Sequence, residues 1–258
     1  MKDKKIYIVL IIILVVFFLI MFCTLGIKNI RQSNYDATLV VGENTIWNYQ
    51  NQKWLNITNS AFIQDLNWEK FHVFLDNEEV GSYSLWHDDK WYAFDDSNNA
   101  VVLNGNMLAY RSNVKIDVVD FKEEDVDVDQ YILQVLEEHN LSSSSKFTTK
   151  YKIHFDFDSD GEEEDFYLIS NVFPMDFNPD VIFSIVFMVK DQKITYLYED
   201  ISENQSFNGC KPYFYSILDI NKDKIYEFIL SCAKYSVGDQ IDMLYQYHDR
   251  EFKIVISN

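Results

Sequence analysis

Residues 150–170 read K-Y-K-I-H-F-D-F-D-S-D-G-E-E-E-D-F-Y-L-I-S. Two segments that alternate apolar and polar residues, each typical of a β-strand, flank a short acidic segment. We call residues 156–164 the first loop. Its carboxylates at alternate positions, the backbone carbonyl of its seventh residue and its final glutamate give five candidate metal ligands: Asp156, Asp158, Asp160, Glu162 and Glu164. Since calcium takes six to eight oxygen ligands, the pattern predicts a calcium-binding loop, in which Gly161 permits the sharp turn.

A related segment follows later in the chain, where residues 217–230 read I-L-D-I-N-K-D-K-I-Y-E-F-I-L. We call residues 219–227 the second loop. Its candidate ligands occupy the places that match the first loop: Asp219, Asn221, Asp223 and Glu227. Lys224 replaces the glycine, and a lysine in a backbone conformation with positive φ is strained. We therefore expect the second loop to bind metal more weakly than the first.

Each loop joins two predicted strands and is followed by a predicted β-hairpin. The predicted strands are 149–156, 165–170, 181–189 and 193–199 around the first loop, and 213–218, 225–232, 240–247 and 251–256 around the second. Similar hairpin segments, with Asp or Asn at the turn, occur at 49–57, 86–94, 189–197 and 247–255. Further turns are predicted at 76–77 and 104–105. The repetition favours a mainly β fold of antiparallel hairpins.

The four-strand unit, with a D-x-[DN]-x-D-G-x-x-[DE] loop between its first two strands, resembles the FG-GAP/VCBS-type repeats of extracellular proteins. The resemblance covers residues 149–256, and its second copy is degenerate. It implies blade-like units, calcium (Ca²⁺) in the loops, and roles in adhesion or ligand binding. Two blades cannot close a propeller. Either residues 35–120 supply irregular blades, or the C-terminal half is a smaller sheet assembly.

The N-terminus contains a long uncharged segment, residues 6–27. At about 1.5 Å per residue it would span roughly 33 Å as a helix, which is enough to cross a bilayer. Lys2, Lys4 and Lys5 precede it, which favours a cytoplasmic N-terminus. We therefore expect a single-pass cell-membrane protein whose remaining chain is extracytoplasmic. The alternatives are a cleaved signal peptide and a lipoprotein modified at Cys23.

The sequence divides into three predicted regions. Residues 1–27 form the cytoplasmic tip and anchor, residues 28–145 a β-rich region, and residues 146–258 the two repeats. One helix, near 128–139, is predicted in the β-rich region from its apolar spacing, with Asp127 or Asp129 as its N-cap.

Two cysteines follow the anchor, Cys210 and Cys232. If the second loop is the tip of a hairpin, counting outward from it places the two cysteines directly opposite each other. A disulfide and two free thiols both remain open at this point.

The composition limits the function. The chain has 22 basic and 41 acidic residues, a net charge of −19, which argues against nucleic-acid binding. It has no recognisable catalytic motif. We expect a non-enzymatic binding protein with an unknown protein or glycan partner. The alternatives are a cell-envelope enzyme acting on glycans and a membrane-tethered immunity or accessory protein.

Overall fold

The computed structural model of the protein describes residues 36–258, except residues 44, 52, 59, 89, 113–114, 143–145, 173–180, 203–209, 235–239 and 249–250. This part of the chain is mainly β and contains three open antiparallel sheets. The first sheet has, in spatial order, β3 (Lys53–Asn56), β2 (Thr45–Gln50), β1 (Ala37–Val41), β8 (Met107–Ser112), β4 (Lys70–Leu75), β5 (Glu78–His87), β6 (Trp91–Phe94) and β7 (Ala100–Val101). None of the three sheets closes on itself into a barrel.

The other two sheets have five strands each and are built in the same way. The second sheet has the order β10 (Glu124–Asp125), β11 (Thr149–Phe155), β12 (Glu164–Ser170), β13 (Ile182–Lys190) and β14 (Lys193–Ser202). The third has the order β18 (Glu251–Ser257), β17 (Gln240–His248), β16 (Glu227–Lys234), β15 (Cys210–Asp219) and β9 (Asp117–Val119). All eight strands predicted around the two loops are present. The strands that complete these sheets, β9 and β10, come from before the predicted boundary at residue 145.

The two described helices are short. Helix α1 is Ser60–Leu66 and helix α2 is Gln130–Glu138. At about 1.5 Å per residue they are roughly 10 and 14 Å long, so no helix in the described part of the chain is long and apolar enough to cross a membrane. This finding corrects the prediction of a transmembrane helix and of a cell-membrane location. Residues 6–27, on which that prediction rested, lie outside the described residues.

An aromatic core lies between the second and third sheets. Phe157 and Phe166 pack with Phe228 and Phe252, with ring centroids 4.2–5.8 Å apart. Aromatic rings prefer tilted and edge-on contacts at such distances. The alternation of apolar residues in these strands directs the rings to one face, which joins the two sheets through side chains.

Helix α2 covers the opposite face of the second sheet. Its buried stripe of Ile132, Val135 and Leu136 packs with residues of β12 and β13. Asp129 is the N-cap, and its Oδ1 accepts hydrogen bonds from the amides of residues 131 and 132. The predicted helix is therefore confirmed, and of the two predicted N-cap residues the structure uses Asp129.

The first sheet contacts the third through buried polar groups. Asp242, only 2% exposed, accepts hydrogen bonds from the hydroxyls of Thr45 in β2 and Ser231 in β16. Tyr215 in β15 donates its hydroxyl hydrogen to the carbonyl of Met107 in β8. Buried polar groups need such partners, so these bonds connect the two sheets at defined points.

One predicted hairpin is wrong. Strands β7 and β8, on either side of the predicted turn at 104–105, do not pair with each other: β7 pairs with β6, and β8 pairs with β1 and β4. The segment instead runs beside the turn at Asp76, whose carboxylate accepts from the amide of Asn106. The turn at 76–77 is a hairpin turn as predicted, with φ of 49° and 67°.

Cys210 and Cys232 are joined by a disulfide, with a Cα–Cα distance of 5.4 Å. Their predicted alignment is wrong, because Cys210 pairs with Lys234 and Pro212 with Cys232. The second loop is longer than a simple hairpin turn, and an irregularity between residues 214 and 216 moves the register back by only one position. The cysteines still share one face of the sheet, two positions apart.

Candidate metal centre

The two acidic loops lie side by side at the same end of the second and third sheets. The first loop connects β11 to β12, and the second connects β15 to β16. The amide of Tyr226 donates to the carbonyl of Phe157 at 2.9 Å, and the hydroxyl of Ser159 donates to the carbonyl of Lys224. These bonds join one loop directly to the other.

In each loop, the carboxylate of the first residue accepts a hydrogen bond from the amide of the sixth residue. The amide of Gly161 donates to Asp156 at 3.0 Å, and the amide of Lys224 donates to Asp219 at 3.3 Å. Lys224 has φ of 65°, so it takes the positive φ expected of a glycine at this place.

The closing glutamates also have matching roles. Glu164 accepts from the amide of Phe157 at 2.9 Å, and Glu227 accepts from the amide of Ile220 at 3.1 Å. Both are almost fully buried, at 2% and 4% exposed. Burial disfavours the charged form, so the pKa of each is raised, that of Glu227 to about 8. Each loop therefore encloses a carboxylate that is costly to ionise without a nearby cation.

In the first loop that cation is the ammonium group of Lys190. Its Nζ lies 2.9 Å from Asp158, 2.6 Å from Asp160 and 2.6 Å from Glu164. Burial alone would lower the pKa of Lys190, but the hydrogen bonds to these three carboxylates outweigh it and raise the pKa. The same contact with Lys190 lowers the pKa of Asp160.

The second loop has a neutral side chain in the corresponding position. Strand pairing aligns Asp165 with Val189 and Phe228 with Tyr245, so the next positions outward place Lys190 opposite Glu164 and Gln246 opposite Glu227. The Nε2 of Gln246 donates to Glu227 at 3.1 Å. Gln246 supplies a hydrogen bond but no positive charge.

Asp219 in the second loop has a buried oxygen without a partner. Asp219 is only 4% exposed, and its Oδ2 accepts a hydrogen bond from the amide of Lys224. Its Oδ1 has no hydrogen-bond partner among the described residues. Burial raises the pKa of Asp219, and the nearby carboxylate of Asp223 raises it further. A buried carboxylate oxygen without a donor is unfavourable, and a bound cation would satisfy it.

The structure brings three predicted ligands of the first loop together, whereas the described carboxylates of the second loop form no such group. One oxygen each of Asp156, Asp158 and Glu164 lie within 4.8 Å of one another, so the first loop has the donors for a metal, but Lys190 contacts two of these residues. In the second loop the orphaned Oδ1 of Asp219 fits a cation. The donors in both are oxygens, which suit calcium rather than zinc.

The predicted ligand Glu162 has an exposed side chain, and its amide donates to Asp160. Two residues that contact the closing glutamates were missed in the sequence. Lys190 and Gln246 were not recognised, although both lie near the turns of predicted hairpins. Only the register of the neighbouring strands shows that they face Glu164 and Glu227.

Comparison of the chain with protein-family models, with curated proteins and with solved structures gives no match. The resemblance to FG-GAP/VCBS-type repeats therefore stays a prediction.

Proposed function

We propose that the protein is a non-enzymatic binding module in which the second loop holds a structural calcium ion. The observation that carries this proposal is the buried Oδ1 of Asp219, which has no hydrogen-bond donor in the described chain and lies beside other acidic groups. Leaving a buried polar group unpaired costs roughly 1–3 kcal/mol, and more for a charged one. Binding a cation in the folded state would remove this cost.

The second loop supplies a suitable set of oxygen donors. Four side chains occupy the alternate and closing positions: Asp219, Asn221, Asp223 and Glu227. Calcium prefers carboxylate and amide oxygens and tolerates irregular geometry. Calcium would therefore neutralise the buried carboxylates, which have no lysine equivalent to Lys190.

A structural role suits the position of this loop better than a catalytic one. All its donors come from one short segment, whereas a catalytic metal keeps an open position that faces substrate. The second loop also packs against the first through Tyr226 and Lys224. An ion here would stabilise the junction of two sheets and keep the surrounding surface rigid for a protein or glycan partner. The acidic net charge favours a partner with a basic surface.

The test is thermal unfolding of the full chain in millimolar calcium and in chelator. Binding to the folded state alone stabilises by RT ln(1 + [L]/Kd), which is about 2.7 kcal/mol at a hundredfold excess over Kd. We expect calcium to raise the melting temperature, and Asp219→Asn to remove most of that increase. Asp127→Asn, at an exposed position, is the matched control and should respond as the wild type does. Equal melting temperatures of the wild type in calcium and chelator would contradict the proposal.

A further inference from the structure

We infer that Lys190 is the permanent cation of the first loop, so that this loop is held together without metal, while Gln246 leaves the second loop open to a divalent ion. The second half of this inference rests on the proposed function, and the first half stands on the geometry of Lys190 alone. The loop with the better calcium sequence is then the one that needs no calcium.

The contacts of Lys190 account for the hydrogens of its ammonium group. Nζ donates to Asp158, Asp160 and Glu164 at 2.6–3.1 Å, counting both oxygens of Asp158. An ammonium has three hydrogens, and three carboxylates accept them. Hydrogen bonds between charged groups are about twice as strong as neutral ones. A divalent ion in the first loop would have to displace all three.

The position of Lys190 holds the ammonium in the loop. It is the last residue of β13, immediately before the tight turn at Asp191 and Gln192, whose φ angles are 51° and 62°. Its side chain is 23% exposed, and its neighbour across the sheet, Glu164, is 2% exposed. Burial at this site reduces screening by water, so the charge of Lys190 acts strongly on the loop.

The second loop has lysines of its own, but none replaces Lys190. Lys222 forms an ion pair with Asp117 of β9. Lys224 uses its backbone carbonyl and amide in the loop, through Ser159 and Asp219. In the position that matches Lys190, Gln246 donates a hydrogen bond to Glu227 and brings no charge. The charge of Lys222 acts on Asp219, but the pKa of Asp219 remains raised. The first loop, which faces Lys190, therefore needs no metal, whereas the second loop, which faces Gln246, does.

The test counts calcium ions bound per full-length chain by isothermal titration calorimetry after removal of metal. We expect one ion for the wild type, two for Lys190→Gln and none for Gln246→Lys. Lys193→Gln, an exposed lysine across the same turn, is the matched control and should bind one. Lys190→Arg keeps the charge and should also bind one.

The two proposals fail in different ways. Two ions in the wild type, or one ion in both the wild type and Lys190→Gln, would overturn the role of Lys190 and leave the calcium proposal standing. No ion in either protein would overturn both proposals. No ion in the wild type and one in Lys190→Gln would support Lys190 and remove the proposed function. If Lys190→Gln unfolds in chelator, calcium should restore its folding, and failure to do so would overturn the inference.

Discussion

Lys190 and Gln246 occupy the same strand position in the two five-stranded sheets, where one faces Glu164 and the other faces Glu227. The two loops share their sites of positive φ, a buried closing glutamate and the backbone hydrogen bond to it. The amide of Asp160 also donates to Oδ1 of Asp156, whereas Oδ1 of Asp219 has no hydrogen-bond partner among the described residues. The two loops also differ in the charge of the side chain placed opposite the closing glutamate. In our proposal, this side chain decides whether the cation of a loop belongs to the protein or comes from solution.

The first prediction concerns stability without metal. Lys190→Met removes the charge but keeps an unbranched apolar side chain, and it leaves three carboxylates close together. We expect the free energy of unfolding in chelator to fall by about 1–3 kcal/mol, below the 3–5 kcal/mol of a fully buried pair because the site is partly exposed. Urea unfolding in chelator measures this change in free energy. Lys193→Met should change the free energy by less than about 0.5 kcal/mol, and an equal loss in both variants would show that the contacts of Lys190 are not responsible.

The second prediction concerns pH. Burial raises the pKa of Glu227 to about 8 in the folded protein, against about 4.3 in an unfolded chain. Between these values the folded state holds the proton and the unfolded state does not. The stability that Glu227 contributes in chelator is therefore complete below about pH 4.3 and is lost as the pH rises through about 8.

Urea unfolding in chelator at pH 5, 6.5 and 8 checks this dependence. Glu227→Gln is neutral at every pH and should flatten the decline. In calcium the wild type should decline less, because ionised Glu227 is then a ligand and binding releases its proton. A decline of the same slope in Glu227→Gln would assign the effect to other groups.

A third prediction concerns the residue at the glycine position of each loop. Lys224 has φ of 65°, a conformation that glycine adopts without strain. Lys224→Gly should therefore stabilise the protein by about 0.5–1 kcal/mol. Gly161→Ala should destabilise by a similar amount through backbone strain alone, because the added methyl group would meet no atom within 4 Å. Urea unfolding of the two variants measures both changes in stability. A loss of stability in Lys224→Gly would mean that the lysine side chain stabilises the loop.

The disulfide gives a fourth prediction. Cys210 and Cys232 are 22 residues apart in sequence, and closing a loop of that length in the unfolded chain is worth about 3 kcal/mol. We expect the double variant Cys210→Ala and Cys232→Ala to be less stable by about that amount. The unfolding of the double variant should not respond to reductant, whereas that of the wild type should. A wild type that is equally stable with and without reductant would contradict the account of this bond.

Local sequence patterns predicted the parts of the fold that depend on neighbouring residues. Alternating apolar residues marked the strands around both loops, and a pair of aspartates, Asp127 and Asp129, marked the start of helix α2, because caps and turns act over a few residues. The place of Lys190 depends on the register between β12 and β13, which no local pattern contains. Likewise β9 and β10 pair with distant strands, and Asn104–Gly105 followed a hairpin pattern although β7 and β8 are not neighbours.

The ranking of the two loops illustrates the same limit. The glycine and the number of carboxylates favoured the first loop as the metal site. The orphaned oxygen of Asp219 and the pairing of Lys190 with Asp158 become visible only when the strands are brought together, and both favour the second.

The most direct measurement is a crystal structure of the full-length protein grown in millimolar calcium. We predict one calcium ion in the second loop, bound by Asp219, Asp223 and Glu227, with the ammonium of Lys190 in the first loop. A calcium ion in the first loop with Lys190 displaced, or no ion in either loop, would contradict the account.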